Sequence, residues 1–377
     1  MSCVKHLVLI GGGHSHVAVL RAFGMAPPPA TQLTLICNVV HTPYSGMLPG
    51  LIAGHYRFED THIDLAALAG FASSAFVNDT VVGLDPDAKQ VYRADGMPIA
   101  YDVLSINIGS APNTNDVPGA AEHTIPVKPI SQFLSYWKAL QARIAGNDKS
   151  CQIAVVGGGA GGVELLLALQ YRLSQGPHAQ RLSFHLVTEE AELLSTYPPS
   201  IRETFHQTFT SRGITLHTNH RVHQVEANRV HCKNGAVLKF DEILWVTAAG
   251  AASWPTEAGL AVDDRGFISI GEAMQSLSHQ DIFAVGDIAS LEAHPRPKSG
   301  VFAVKQGPAL AENLRRHLMG EPPVPHIPQS KYLSLISTGD RYAIASYGHW
   351  SMQGKLMWHL KDWIDRRFIA TYTVLPD

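Results

Sequence analysis

The chain has 377 residues, 45% of them hydrophobic and 16% charged, and a formal net charge of −3. This is the composition of an ordinary soluble globular protein of two or three domains, and it carries no basic footprint for nucleic acid. No run approaches the roughly 18 consecutive apolar residues of a spanning helix, so any membrane contact is expected to be peripheral.

The chain opens with Leu7-Val8-Leu9-Ile10, then Gly11-Gly12-Gly13-His14-Ser15-His16, then Val17-Ala18-Val19-Leu20. This reads as strand, tight turn and helix. Gly11 and Gly13 let the backbone approach a pyrophosphate, which the amides at the helix start, around His14 and Ser15, would hold. His16 stands where a third glycine would permit close helix–strand packing. Both histidines read as hydrogen-bonding groups at a helix start. A first strand so near Met1 leaves no room for a leader, so the chain reads as cytoplasmic, with any membrane contact at the inner face. Cys3, Cys37, Cys151 and Cys232 lie far apart, which fits reduced thiols. No metal site is expected.

Ala26-Pro27-Pro28-Pro29 stops the helix, and the second strand, Leu33-Thr34-Leu35-Ile36, runs into Cys37-Asn38 without an acid. Asn38 is the candidate for the ribose contact. Thr42-Pro43-Tyr44-Ser45-Gly46-Met47-Leu48-Pro49-Gly50 is a rigid turn with an aromatic at its tip. A small antiparallel layer from Val81 to Tyr92 then returns to a buried strand ending at Gly109. One amphipathic helix is expected from about Ser131 to Ile144.

At Ile153-Ala154-Val155-Val156 the pattern restarts, followed by Gly157-Gly158-Gly159-Ala160-Gly161-Gly162-Val163-Glu164 and a helical run from Leu165 to Leu173. Here Gly157, Gly159 and Gly162 fill all three positions. The next strand ends at Thr188-Glu189-Glu190, where Glu189 could accept both hydrogen bonds of an adenosine ribose. A carboxylate there would repel a 2′-phosphate, so NADH is expected over NADPH.

The stretch from Asp102 to Gly109 is echoed from Asp241 to Gly250. Two copies of a nucleotide-binding domain, the second inserted in the first, explain the spacing. The expected fold is α/β with two Rossmann-like domains: 1–115 and 261–325 form the first, 116–260 the second, and 326–377 a small C-terminal α+β segment. Asp287 ends a buried strand and is placed to bond a sugar-alcohol hydroxyl or to cap a helix. Gly300 to Leu314 reads mostly as a helix. After a Pro-rich linker, two short strands and a last helix, Lys355 to Phe368, are expected. Leu356, Leu360, Trp363, Ile364 and Phe368 share one face of it, and Lys361, Asp362, Asp365 and Arg366 another. The apolar face is expected to pack on the body or in a homodimer, with interfacial membrane binding the alternative.

Together these residues resemble the two-dinucleotide-domain, glutathione-reductase-like flavoproteins, and within them the type II NADH dehydrogenases. Thr42 to Gly50, Ile336 to Ala343 and Lys361 to Phe368 look more narrowly like the FAD-containing oxidoreductase found beside, or fused to, selenide, water dikinase. The resemblance implies FAD in the first domain, NADH in the second, hydride transfer to flavin, and electron delivery to a quinone-like or other small acceptor. By position Gly11, Gly13, His14, Ser15, Asn38, Gly109 and Asp287 would hold FAD. Tyr44 would stack under the flavin ring or else plug the core, and Val301 and Phe302 begin a helix whose positive end would face the ring. Gly157, Gly159, Gly162 and Glu189 would hold NADH. Glu164 matches a glutamate near the nicotinamide in similar enzymes, and Lys305, or the helix start near it, would stabilise reduced flavin.

Two departures narrow the reading. No cysteine pair accompanies Tyr44, so a thiol relay or sulfide oxidation lacks its carrier. Of the two glutamines that similar dehydrogenases place for quinone, only Gln306 is present. The rival readings are a selenium- or sulfur-compound reductase partnered with a dikinase, and a flavin-binding sensor that does not turn over.

Overall fold

A computed structural model describes residues 4–114, 116–247 and 249–376. Its first sheet is parallel and five-stranded, in the spatial order Ile282–Ala284, Val103–Ile106, Lys5–Ile10, Thr31–Ile36, Ala75–Val77. Leu7 to Ile10 are buried as one unbroken apolar run, as a strand covered on both faces requires. The second sheet repeats the plan in the order Ile125–Pro126, Glu242–Trp245, Cys151–Val156, Leu182–Val187, Thr215–His217. All its strands fall, in sequence, between Val103–Ile106 and Ile282–Ala284, so the second α/β unit is inserted in the first.

Each central strand feeds a glycine loop and then a helix: α1, His14–Met25, and α2, Ala160–Ser174. Helix α3, Gly300–Met319, lies across α1. Gly307 permits that crossing, since a Cβ there would stand 2.6 Å from the Ala18 methyl. The Ser15 hydroxyl donates to the Ala303 carbonyl at 2.7 Å and pins the crossing. The expected antiparallel layer is present as Val81–Asp85, Gln90–Arg93 and Ile99–Ala100, and the linking helix spans Ile130–Ala145.

The C-terminal segment corrects two expectations. Three strands are present where two were expected: Ser334–Ser337, Ala343–Tyr347 and Trp350–Gly354, all antiparallel. The third is an edge strand exposed along almost its whole length, and its two alternating apolar residues, Trp350 and Met352, are too few to mark it as a strand in sequence. The last helix, α4, runs from Lys355 to Thr373, and its buried residues are Met357, Trp358, Asp365 and Ile369. Leu356 and Trp363, assigned above to the packing face, are 71% and 57% exposed.

The reason for this rotation is an ion pair. Lys361 and Asp365 sit one turn apart at 2.9 Å with side chains only 12% and 6% exposed, so a charged stripe turns inward because its members satisfy one another. Among the described residues no helix is long and apolar enough to cross a membrane. Cys37, Cys151 and Cys232 are free thiols, and Cys3 lies outside the described residues.

Candidate functional site

Both glycine loops end in helices without a side-chain cap, so the first amide N–H groups of α1 and α2 are left for an anion. Gly11 has φ +90°, and a Cβ there would stand 2.5 Å from the Asn107 carbonyl oxygen. At Gly13 a Cβ would fall 1.8 Å from Asn107 Oδ1. Asn107 is 3% exposed, and its amide donates to the Val285 carbonyl at 2.9 Å, joining the ends of two neighbouring strands behind the loop. Its Oδ1 has no partner among the described residues. Sequence reasoning took Asn107 for a strand residue; the available signal was an amide at the end of an otherwise apolar strand.

The two loops solve the helix–strand contact differently. A Cβ at Gly162 would stand 2.0 Å from the Gly157 carbonyl oxygen, so α2 touches its own loop. At the equivalent place in α1 stands His16, fully buried, with Nδ1 2.6 Å from the Gly11 carbonyl oxygen and Nε2 2.8 Å from the Ser105 hydroxyl. The imidazole spaces the helix by hydrogen bonds where glycine allows contact.

Asp287 lies in the turn Gly286–Ile288 and caps no α-helix. It accepts from Lys128 Nζ at 2.9 Å and from the Ser110 hydroxyl at 3.1 Å. Burial would raise its carboxyl, but Lys128 and these hydrogen bonds outweigh it and hold the group below the usual range. Near it, burial and the Lys128 charge bring His14 down to about 4 against the pull of Asp287, and its Nε2 has no partner among the described residues.

A consequence for stability follows. Burial also brings His16 to about 4, from 6.5. Groups depressed in the folded state contribute stability that is full above the unfolded value and lost as pH falls through the folded one. We expect urea unfolding to show stability declining from about pH 6.5 towards pH 4, His16 alone accounting for roughly 3 kcal/mol. A flat profile across that window would contradict the buried neutral histidines.

The Tyr44 turn, α2 and α4 meet in one polar cluster. Tyr44 stacks on Phe368 at 4.4 Å between ring centroids, meets the His14 ring edge-on at 5.3 Å, and lies beside Asp365. Lys361 Nζ donates to the Gly46 carbonyl at 2.8 Å as well as to Asp365. Glu164 of α2 faces Lys361 and accepts from the Ser337 amide at 2.6 Å. Burial raises the Glu164 carboxyl despite both favourable neighbours. For Lys361 burial works downward, but Asp365 and Glu164 outweigh it and the ammonium is held above its ordinary value. The segments Thr42–Gly50, Ile336–Ala343 and Lys361–Phe368, far apart in sequence, therefore meet around Lys361 and Glu164.

The remaining candidates are more dispersed. Gly109, at φ +72°, directly precedes Ser110, the partner of Asp287. Asn38 is exposed just beyond the end of its strand. Val301 is partly buried and Phe302 buried at the start of α3. Lys305 is exposed, and the lone Gln306 is engaged, its Oε1 accepting from the Gly286 amide at 2.8 Å. A cleft of about 220 Å³ lies beside Asp287, Phe302 and Lys305, and Arg296 and Lys298, both partly buried, also line it. Lys298 donates to the Ala289 carbonyl and lies 3.9 Å over the Phe267 ring, and burial brings it down to about 8. Lys298 was not singled out from the sequence, where only its place two residues before Gly300 marks it.

On the second loop, Gly159 precedes α2, and a Cβ at Gly157 would stand 2.4 Å from the Val246 carbonyl oxygen. The residue packed against this loop is Thr188, buried beside Gly158. Glu189 stands one residue further out, its side chain 58% exposed, and pairs with Arg221 at 3.5 Å.

Comparisons with known proteins agree with this architecture. A family model described as pyridine nucleotide-disulphide oxidoreductase matches residues 5–307. The chain is 26% identical over 340 residues to the NADH dehydrogenase-like protein YutJ of Bacillus subtilis, covering 89% of this chain and 90% of that protein. It is 24% identical to the sulfide-quinone reductase of Aquifex aeolicus, with 84% of this chain and 78% of that protein covered. Among solved structures, the Aquifex aeolicus sulfide:quinone oxidoreductase superposes with a TM-score of 0.81 at 21% identity over 98% of this chain and 91% of that one. The NDH2 of Plasmodium falciparum, solved with NADH, gives 0.78 at 14% identity over 99% of each chain.

Proposed function

The chain belongs to the pyridine nucleotide-disulphide oxidoreductase family, and we propose that it oxidises NADH at a bound FAD and passes the electrons to a quinone-type acceptor. The observation that carries this reading is the meeting of the two dinucleotide units: Glu164 on α2 faces Lys361, which bonds Gly46 of the first unit. The relatives named above are NADH dehydrogenase-like or quinone-reducing, and the acceptor class rests on them.

FAD fits the first unit. The Gly11–Gly13 turn packs on Asn107 too closely to admit a Cβ, which fixes its tight course, α1 presents uncapped amides, and Asp287 offers a carboxylate to a sugar-alcohol chain. When bound, FAD would supply the hydride-accepting chemistry, which side chains do not provide. The protein's part is positioning and charge. The amides of α1 and α2 hold pyrophosphates, and the Tyr44–Gly46 turn is clamped by Lys361 and Asp365. Glu164, whose carboxyl is raised by burial, is more readily protonated than an exposed glutamate and is suited to hold a proton at this meeting point.

The test is anaerobic addition of NADH to the purified protein. Bleaching of the flavin band, reversed by a soluble quinone, is the expected result; a flavin band indifferent to NADH would favour the sensor reading. A second reading, reduction of a selenium or sulfur compound, rests on the narrower resemblance, whose three segments meet around Lys361 and Glu164. Reoxidation by selenite or polysulfide, and not by quinone, would select it.

A further inference from the structure

We infer that the second unit accepts NADPH as well as NADH, with Arg221 as the receptor for the 2′-phosphate. The inference rests on the proposed placement of the dinucleotide on α2. Exclusion of NADPH needs a carboxylate against the glycine loop, where it would meet the adenosine ribose. In that place stands Thr188, 4% exposed, packed so closely on the loop that a Cβ at Gly158 would be 2.6 Å from its hydroxyl. The hydroxyl accepts from the Glu190 amide at 3.3 Å and carries no charge. The nearest acid, Glu189, lies outside on the rim, and the guanidinium of Arg221 already offsets it at 3.5 Å.

Arg221 is held there by its backbone. The His220 amide donates to the Thr188 carbonyl at 2.9 Å, the Asn219 amide to the Glu190 carbonyl at 3.0 Å, and the Lys233 amide to the Arg221 carbonyl at 2.8 Å. The loop bearing Arg221 is thus stitched to the Thr188–Glu190 turn on one side and to Lys233 on the other. The side chain itself is 64% exposed and free to exchange partners. With NADH, Arg221 stays on Glu189. With NADPH, it turns to the phosphate, where its planar fork can give two parallel charge-assisted hydrogen bonds.

Adenosine 5′-monophosphate and adenosine 2′,5′-bisphosphate differ only in the phosphate at issue. Their binding to the FAD-loaded protein by calorimetry therefore tests the rim without any electron transfer. The bisphosphate is expected to bind at least as tightly as the monophosphate. Arg221→Ala should weaken the bisphosphate by about 10-fold or more while moving the monophosphate by about 2-fold or less. Arg221→Lys, which keeps the charge but not the fork, should fall between, and Glu189→Gln should tighten the bisphosphate. In turnover, Arg221→Ala should raise the ratio of kcat/KM for NADH to that for NADPH. Binding of the monophosphate alone, or an Arg221→Ala protein with undiminished bisphosphate affinity, would overturn the inference. Failure of both nucleotides to bind would overturn the dinucleotide placement, and the inference with it.

Discussion

Gly11→Ala is expected to purify without FAD. Two independent costs meet at this residue. Its φ of +90° is one that residues with a Cβ rarely adopt, at a cost of about 1–3 kcal/mol. The added methyl would also stand 2.5 Å from the Asn107 carbonyl oxygen and 2.8 Å from its carbon, and those atoms are backbone that cannot swing aside. The turn must open, and the α1 amides then no longer converge on one phosphate. A loss of about 3 kcal/mol in cofactor binding is a factor of about 100, enough to strip flavin during purification. The check is the visible spectrum of the purified variant, with circular dichroism to show that the sheets persist. Stoichiometric flavin in the variant would remove the Gly11 turn from the cofactor site.

How much of this was legible beforehand depends on the kind of signal. Leu7–Ile10 and Ile153–Val156 are buried apolar runs leading into glycine turns, and such local patterns carry their own structure. The insertion of the second sheet was visible because the two units repeat the same order of elements. The inward stripe of α4 was not. Lys361 and Asp365 look like a solvated face until Gly46, more than 300 residues earlier, supplies the carbonyl that lets them be buried.

Asn107 and Thr188 were passed over for a related reason. Each gains meaning only from the glycine packed against it, Gly13 in one case and Gly158 in the other, and that contact is tertiary. Glu189, one residue beyond Thr188, has the right chemistry in sequence, but the strand ends so that its neighbour faces the loop. Lys305 likewise lies on the expected helix, while Lys298, a partly buried cation of the adjoining cleft, precedes it.

Lys361→Met should be the most damaging single change on α4. The ammonium is bonded to Asp365 and Gly46 and faces Glu164, so its removal leaves two carboxylates near one another in a partly buried site. Breaking one side of such a pair typically costs about 3–5 kcal/mol. The sign with pH follows from Glu164. Its carboxyl is already raised in the folded state by burial, and loss of Lys361 raises it further. A group raised on folding contributes stability that is full below its unfolded value and lost as pH rises through its folded value. The variant should therefore be weakest at high pH and recover as pH falls and Glu164 takes up a proton, which urea unfolding over a pH series would show. Turnover should fall as well, by up to about 100-fold, because the Tyr44–Gly46 turn loses its clamp and small misplacements near a reacting centre are costly. Lys361→Met combined with Asp365→Asn should regain stability at neutral pH without regaining turnover, since the second charge is relieved but the Gly46 clamp is not restored. Wild-type turnover in the single variant would show that α4 merely covers the turn, and the assignment of Lys361 to the site would fall.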